Sequence, residues 1–384
     1  EKGPAFGKTR GTVAEDDWPT FRGDPERSGT TSTAVPDSLT TDWEADIGKT
    51  LTAPTVAGGK VYVACRDRHE LVALDLATGD GVWRFTADGP VDSPPSIHGG
   101  QVIFGCRDGW VYALRASDGA LVWRFQAARD PRRLVADGRL ESQLPVPGSV
   151  LVIDGEVWFT AGRSSFMDGG IDLFRLDAGT GKVLSRTRIY SPDPDSGAQT
   201  DPLENKVIRG SRMDILTADD GRVFLQDRAF TLEGELLEER RRHLFTATGF
   251  LDDSWVHRSY WIYGENPLMK LGSGGDPVKE MVYGRLLSVD GDVVYGYGRK
   301  EVHWSNEFED GEYRFFARDK DVRKEEFLWE QPSPVRTRAL IVAGETLYAA
   351  GLPNGADDRP ARLVSLSKGQ GKPLAQVPLA RGPV

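Results

Sequence analysis

Scarcity is the first thing the sequence shows. Only two cysteines occur in 384 residues, so one disulfide at most could form. The five histidines (His69, His98, His243, His257 and His303) have no metal-ligand spacing, and neither a nucleophile-elbow GxSxG nor a phosphate-binding P-loop is present. No apolar run approaches 18 residues, which excludes a membrane-spanning helix, and no long stretch has helical periodicity. The net charge is −10, with Lys and Arg scattered rather than striped, which argues against a nucleic-acid or anionic-membrane surface. The basic run Arg240-Arg241-Arg242 follows LEGELLEE and reads as a solvated turn.

What is abundant is turn chemistry, with 44 glycines and 23 prolines, and a repeat. Trp43, Trp83 and Trp123 stand 40 residues apart in the settings TDWEADI, GVWRFTA and LVWRFQA. A fixed period near 40 residues with a Trp-bearing strand in every copy is the pattern of a β-propeller, in which each repeat is a four-stranded blade. GGKVYVACRD (58–67) recurs as GGQVIFGCRD (99–108), and ELVALDLATGDGVWRF (70–85) as WVYALRASDGALVWRF (110–125). The lag falls from 41 to 40 between them because RDRHE is one residue longer than RDGW, a length change confined to a hairpin loop.

A glycine followed by an alternating strand counts the blades, at Gly59, Gly100, Gly155, Gly221, Gly291 and Gly344. The interval from Gly221 to Gly291 is too long for one blade, and FLDDSWVHRSYWIYG (250–264) fits there as a divergent copy with Asp252-Asp253 as its turn. The expectation is an all-β propeller of seven visible four-stranded blades, formed by residues 41–384 as one domain behind a polar arm, residues 1–40. Trp43 shares the register of Trp83 and Trp123, so residues 41–47 are expected to form an outer strand. Because KPLAQVPLA (372–380) already supplies the last blade's outer strand, that strand calls for an eighth blade, completed by a further segment or another chain. Cys65 and Cys106 occupy equivalent places in neighbouring blades, so buried free thiols are expected rather than a disulfide.

The segments ALDLATGDGVWRF, ALRASDGALVWRF and RLDAGTGKVLSRT resemble the repeat of pyrroloquinoline-quinone-like (PQQ-like) propellers, whose signature falls here on Asp75, Thr78, Gly79 and Trp83. That group includes quinone-dependent alcohol dehydrogenases and non-enzymatic scaffolds such as the outer-membrane β-barrel assembly lipoprotein, so the resemblance is specific for fold and nearly silent on function. DDWPTFRGDPERSG, RLESQLPVPGSV, AGRSSFMDGG, HLFTATGFLDDSWVHRSYW and YGYGRK resemble segments of the large PQQ-like repeat proteins typical of planctomycetes. Against the longer of those, this chain corresponds to a C-terminal half, and a secreted or periplasmic setting is what the resemblance implies. The dehydrogenases resemble one another in an adjacent Cys-Cys pair, a Trp platform under the quinone, and a calcium or lanthanide held by carboxylates and an Asn. This sequence has no adjacent cysteines and no recognisable metal set, so neither a quinone cofactor nor a metal is expected.

Two irregular segments are chemically dense. AGRSSFMDGG reads either as a bulged loop with Arg163 bonded to Asp168, or as an anion-binding rim in which Arg163 and Asp168 join Glu141 and Arg212. LDDSWVHRSYW reads either as structural, with Asp252-Asp253 in a turn and Trp255 and Trp261 packed between blades, or as a sugar site. In the sugar-site reading the aromatic Trp255 stacks on a pyranose ring, Arg258 neutralises a uronate or sulfate, and His257 and Tyr260 move protons with Asp253 as a carboxylate. Two functional readings therefore stand. One is a non-catalytic scaffold or binding propeller for a protein or polysaccharide, which the repeat favours. The other is a polysaccharide lyase or glycoside hydrolase.

Overall fold

The computed structural model describes residues 1–136, 138–193, 195–198, 215–246, 249–250, 261–265, 281–299, 312–354 and 360–379. It is essentially all β, 50% strand and 1% helix, and divides into two compact units. The first comprises Glu1–Glu26, Trp43–Glu239 and Gly249–Asp252, and the second Arg27–Asp42, Arg240–Thr248 and Asp253–Val384.

The first unit contains four antiparallel meanders of four strands each. Sheet I is Thr55–Ala57, Lys60–Cys65, Glu70–Asp75 and Gly81–Thr86; sheet II is Ser96–His98, Gln101–Gly105, Trp110–Arg115 and Leu121–Gln126. Sheet III is Leu151–Ile153, Glu156–Ala161, Ile171–Asp177 and Val183–Ile189; sheet IV is Leu216–Asp219, Arg222–Leu225, Arg228–Thr231 and Leu236–Leu237. A separate hairpin, Arg133–Ala136 with Arg139–Ser142, is inserted between sheets II and III. In the second unit, sheet V (His243–Thr246, Trp261–Gly264 and Val282–Gly284) has three described strands. Sheet VI is Leu286–Asp290, Val293–Arg299, Tyr313–Asp319 and Phe327–Pro332; sheet VII is Val335–Ala343, Thr346–Pro353, Arg362–Ser367 and Pro373–Pro378.

The turns follow from the sequence. At Asp154-Gly155 both central residues have positive φ (48° and 80°), the mirror-image turn whose twist matches that of the flanking strands. The other counted glycines also lie in hairpins at positive φ, but Gly291 and Gly344 are the first of their two turn residues rather than the second. The expected Asp252-Asp253 turn lies outside the described residues.

Within each unit, apolar cores lie between successive sheets. Tyr62, Leu71 and Trp83 of sheet I meet Phe104, Tyr112 and Leu114 of sheet II; Trp123 and Val111 of sheet II meet Phe159 and Phe174 of sheet III. The repeated tryptophan joins these layers. Trp83 Nε1 donates to the carbonyl of Ala116 at 3.0 Å, and Trp123 to Ala178 and Trp329 to Lys368 at 2.9 Å each, always the residue three before a turn glycine of the next sheet. The indole lies on that glycine: a Cβ on Gly119 would stand 2.8 Å from Trp83, and one on Gly181 2.7 Å from Trp123. The Asp and Thr of the repeat signature shape the seat, since Asp75 Oδ1 accepts from the backbone N–H of Ala77 and Thr78. Ser185 occupies the tryptophan position in sheet III, and Gly234 closes onto it.

Residues 41–47 form no strand, contrary to the register of Trp43. What the register preserves is the side-chain contact: Trp43 Nε1 donates to the Leu76 carbonyl at 2.9 Å and its ring covers Gly79. The surrounding chain packs Trp43, Ile47 and Leu51 onto Val61, Val63 and Val72 of sheet I. Apolar burial needs no ladder, and without a flanking strand the backbone gains nothing by extending. Nor is the polar arm merely a leader. Gly3 and Ala5 donate backbone bonds to the outer strand of sheet II, Trp18 exchanges two with Val56 of sheet I, and Pro25 accepts from Ala218 of sheet IV. In the second unit Ser28 accepts from Val289 of sheet VI, and Thr30–Thr31 adds to sheet VII as a parallel fifth strand. Arg27 within it is fully buried.

Candidate functional site

The charged residues of the first unit gather where second strands pass to third strands and one sheet connects to the next. Cys65-Arg66-Asp67 and Cys106-Arg107-Asp108 are the same loop in successive repeats, so both arginines emerge at the same end of their sheets. Asp92, in the connection from sheet I to sheet II, receives both. Arg66 Nη2 lies 2.8 Å from Asp92 Oδ1, and Arg107 pairs with Asp92 through Nε and, at 3.1 Å, Nη2. The remaining arm of Arg107 donates to Glu141 Oε2 at 3.1 Å, and Arg163 closes on the other oxygen of Glu141. Asp92 and Glu141 have no exposed side-chain surface, whereas Arg66 and Arg163 retain 34% and 22%.

Glu141 is placed by the inserted hairpin, whose alternation turns it and Leu134 to one face and leaves Val135 and Leu140 exposed on the other. Of the expected site residues, Glu141 and Arg163 are thus brought together as an ion pair. Asp168 is not bonded to Arg163; it sits at φ 54° and accepts from Gln143 Nε2 at 2.5 Å. The reason is reach: Arg163 finds a buried carboxylate facing it, while Asp168 turns outward in the left-handed region beside Gly169-Gly170. Asp253, Trp255, His257, Arg258, Tyr260 and Arg212 lie outside the described residues. His243 is buried, with Nδ1 2.9 Å from the Arg241 carbonyl oxygen.

The sequence reading missed a second cluster. Asp172, the second residue of the third strand of sheet III, has no exposed side-chain surface, and three guanidinium groups reach it. Arg129 Nε stands 2.8 Å from Oδ2, Arg186 Nη2 2.9 Å from Oδ2, and Arg188 Nε 3.4 Å from Oδ1. Asp172 lies opposite Arg188, and Phe174 opposite Arg186, in the ladder. The signal was present in SRTRI, where two arginines two apart share a strand face, but it required the register with the preceding strand to be used.

The two cysteines are free and buried, as expected. Burial, then neighbouring Asp108, pushes the Cys106 thiol well above its ordinary range, and burial likewise raises the Tyr112 phenol, whose hydroxyl donates to Asp108 Oδ2 at 2.6 Å. These residues do not fit the quinone and calcium arrangement of the dehydrogenases. Cys65 and Cys106 belong to different sheets, and among the described residues no three His, Cys, Asp or Glu side chains converge to hold a metal. No helix of the described residues is long and apolar enough to cross a membrane.

Residues 27–211 match the family described as outer membrane protein assembly factor BamB. The chain is similar to that factor from Nitrosomonas eutropha, with 29% identity over 89 residues, 23% of this chain and 22% of the relative. It is also similar to the dehydrogenase subunit of a quinone alcohol dehydrogenase from Gluconobacter oxydans, with 29% identity over 167 residues, 40% of this chain and 21% of the relative. The matched regions thus cover about a fifth of the length of these curated relatives. Among solved structures, the quinohemoprotein alcohol dehydrogenase of Comamonas testosteroni superimposes with a TM-score of 0.63 at 15% identity, over 97% of this chain and 74% of the other. A europium-containing methanol dehydrogenase gives 0.61 at 14% identity, over 96% and 86%. Both likenesses concern the fold.

Proposed function

We propose that this chain, whose repeats match the assembly-factor family over residues 27–211, is a PQQ-like β-propeller repeat protein that acts as a non-catalytic binding or scaffold module for a protein or polysaccharide partner. The observation that carries this reading is the use made of the charged groups. Glu141, one of the carboxylates the sequence offers to a ligand, is buried between Arg107 and Arg163, and Asp92 is buried between Arg66 and Arg107. A carboxylate enclosed by two guanidinium groups holds loops together and has no path to a substrate. What remains outward is a rigid frame bearing partly exposed arginines, which suits recognition better than bond cleavage. The likeness to an outer membrane assembly factor supports the scaffold role and goes with a secreted or periplasmic setting.

The test is a panel of neutral, uronate and sulfated polysaccharides assayed in parallel for binding and for the appearance of reducing or unsaturated ends. Binding, or capture of a protein partner, without turnover is the expected result. Turnover lost in His257→Ala or Tyr260→Phe would replace this reading with the carbohydrate-active one.

A further inference from the structure

We propose that Arg129, Arg186 and Arg188, gathered on Asp172 at the end of sheet III, form a binding site for the sulfate or carboxylate groups of an acidic polysaccharide. The proposal deepens the binding-module reading above and rests on it.

The first observation is stoichiometry. Arg66, Arg107 and Arg163 share two carboxylates, whereas here three guanidinium groups converge on a single fully buried Asp172, leaving two positive charges unbalanced within the cluster. Burial holds the Arg129 guanidinium below its ordinary range; the attraction of Asp172 opposes this and the charges of Arg188 and Arg186 add to it. The three side chains are 25%, 36% and 48% exposed, so their unused edges face solvent while the shared anchor does not.

The second observation is donor capacity. Three guanidinium groups offer about fifteen N–H donors. Apart from the contacts with Asp172, their one hydrogen bond among the described residues is from Arg129 Nη2 to the Gly169 carbonyl at 3.2 Å. The remaining edges are planar forks of the kind that grip sulfate and carboxylate in pairs. They are also held in place. Arg186 lies 5.5 Å over the Phe174 ring, and Arg188 is fixed opposite Asp172 by the ladder, so little side-chain freedom is lost on binding.

A saccharide fits the surroundings. Tyr190, two residues beyond Arg188, is half exposed and offers a ring face. Arg66 and Arg163 extend the partly exposed basic groups along the same end of the unit, connected through Glu141, Gln143 and Asp168. Several partly exposed arginines in one unit suit a polymer with repeating negative charges.

The experiment measures binding of the whole chain to heparin, polygalacturonate, a neutral β-glucan, inorganic sulfate and duplex DNA, with the Arg186→Ala/Arg188→Ala double variant beside wild type. Arg323→Ala/Lys324→Ala, which removes equal charge from exposed side chains of the second unit, is the control. Heparin or polygalacturonate should bind and lose at least about tenfold affinity in the Arg186/Arg188 variant, as expected for losing charge-assisted contacts, but not in the control. Inorganic sulfate should compete weakly. Arg186→Lys/Arg188→Lys, which keeps charge and stability but loses the fork, should fall between. Equal loss in both Ala variants, DNA bound as tightly as heparin, or no binding to either acidic polymer would overturn the proposal. Neutral-glucan binding untouched by the double variant would overturn it while leaving the module reading intact. Turnover of a bound acidic polymer would instead overturn the non-catalytic reading and leave the arginine site standing.

Discussion

Substituting Gly181 with alanine isolates what the tryptophan repeat contributes. Gly181 has φ 67°, and an added Cβ would stand 2.7 Å from the ring of Trp123, which is 1% exposed and donates to Ala178. Two costs follow. The left-handed conformation alone costs an alanine about 1–2 kcal/mol. Displacing a buried indole adds overpacking of about 1–3 kcal/mol and weakens a hydrogen bond of about 1 kcal/mol. Gly155→Ala supplies the reference, because Gly155 has φ 80° but open space around its Cβ, the nearest atom being His98 Nε2 at 3.8 Å. Gly181→Ala should therefore destabilise by about 3–5 kcal/mol and Gly155→Ala by only about 1–2 kcal/mol. Urea titration monitored by far-ultraviolet circular dichroism measures both. A cycle with Trp123→Ala then separates the terms: once the indole is gone, the Gly181→Ala penalty should shrink to the Gly155 value, with coupling above about 1 kcal/mol. Equal penalties at the two glycines, or no coupling, would show that the indole seat does not join these sheets.

Other outcomes follow from the same contacts. Arg163→Ala leaves Glu141 buried with one guanidinium partner and should lower stability by about 3 kcal/mol, whereas the Arg163→Ala/Glu141→Gln double variant should recover part of that, as thermal unfolding will show. The native protein should label slowly with a thiol reagent at neutral pH and fully in denaturant. Because the folded-state pKa of Cys106 is raised, its proton is retained in both states below the ordinary thiol value; above it only the unfolded chain releases the proton, so stability should fall as pH rises through that region and fall less in Cys106→Ala. Incubation with pyrroloquinoline quinone and calcium should leave no quinone absorbance after gel filtration; a cofactor that co-elutes would contradict the misfit of the residues present.

Local chemistry was legible and long-range pairing was not. The hairpins at Gly59, Gly155 and Gly221 are written in two adjacent residues each, and the tryptophan period is visible because each copy repeats the same seat. Trp43 shows the limit of that logic: the period records where an indole must reach, and the backbone beneath it was free to take another form. The ion pairs joining Arg107 to Asp92 and Arg163 to Glu141 depend on which connections meet, a matter no motif encodes. Asp172 with Arg186 and Arg188 lay between, readable only once two strands were set in register.

The N-terminal segment has a consequence for the order of assembly. Thr30 and Thr31 pair with Val342 and Ala343, and Tyr348 donates its hydroxyl to the carbonyls of Val35 and Pro36, across more than three hundred residues of chain. These residues cannot reach their final place until the segment from Val342 to Tyr348 has been made, although sheets I to III, built from near neighbours in sequence, can form as they emerge. The second unit thus has a late, entropically demanding step in which residues 30–36 are captured by sheet VII. Sheet VII should therefore be the last element to gain protection from hydrogen exchange during refolding, and cutting the chain near residue 40, between these contacts and sheet I, should slow that step without affecting the formation of sheets I to III.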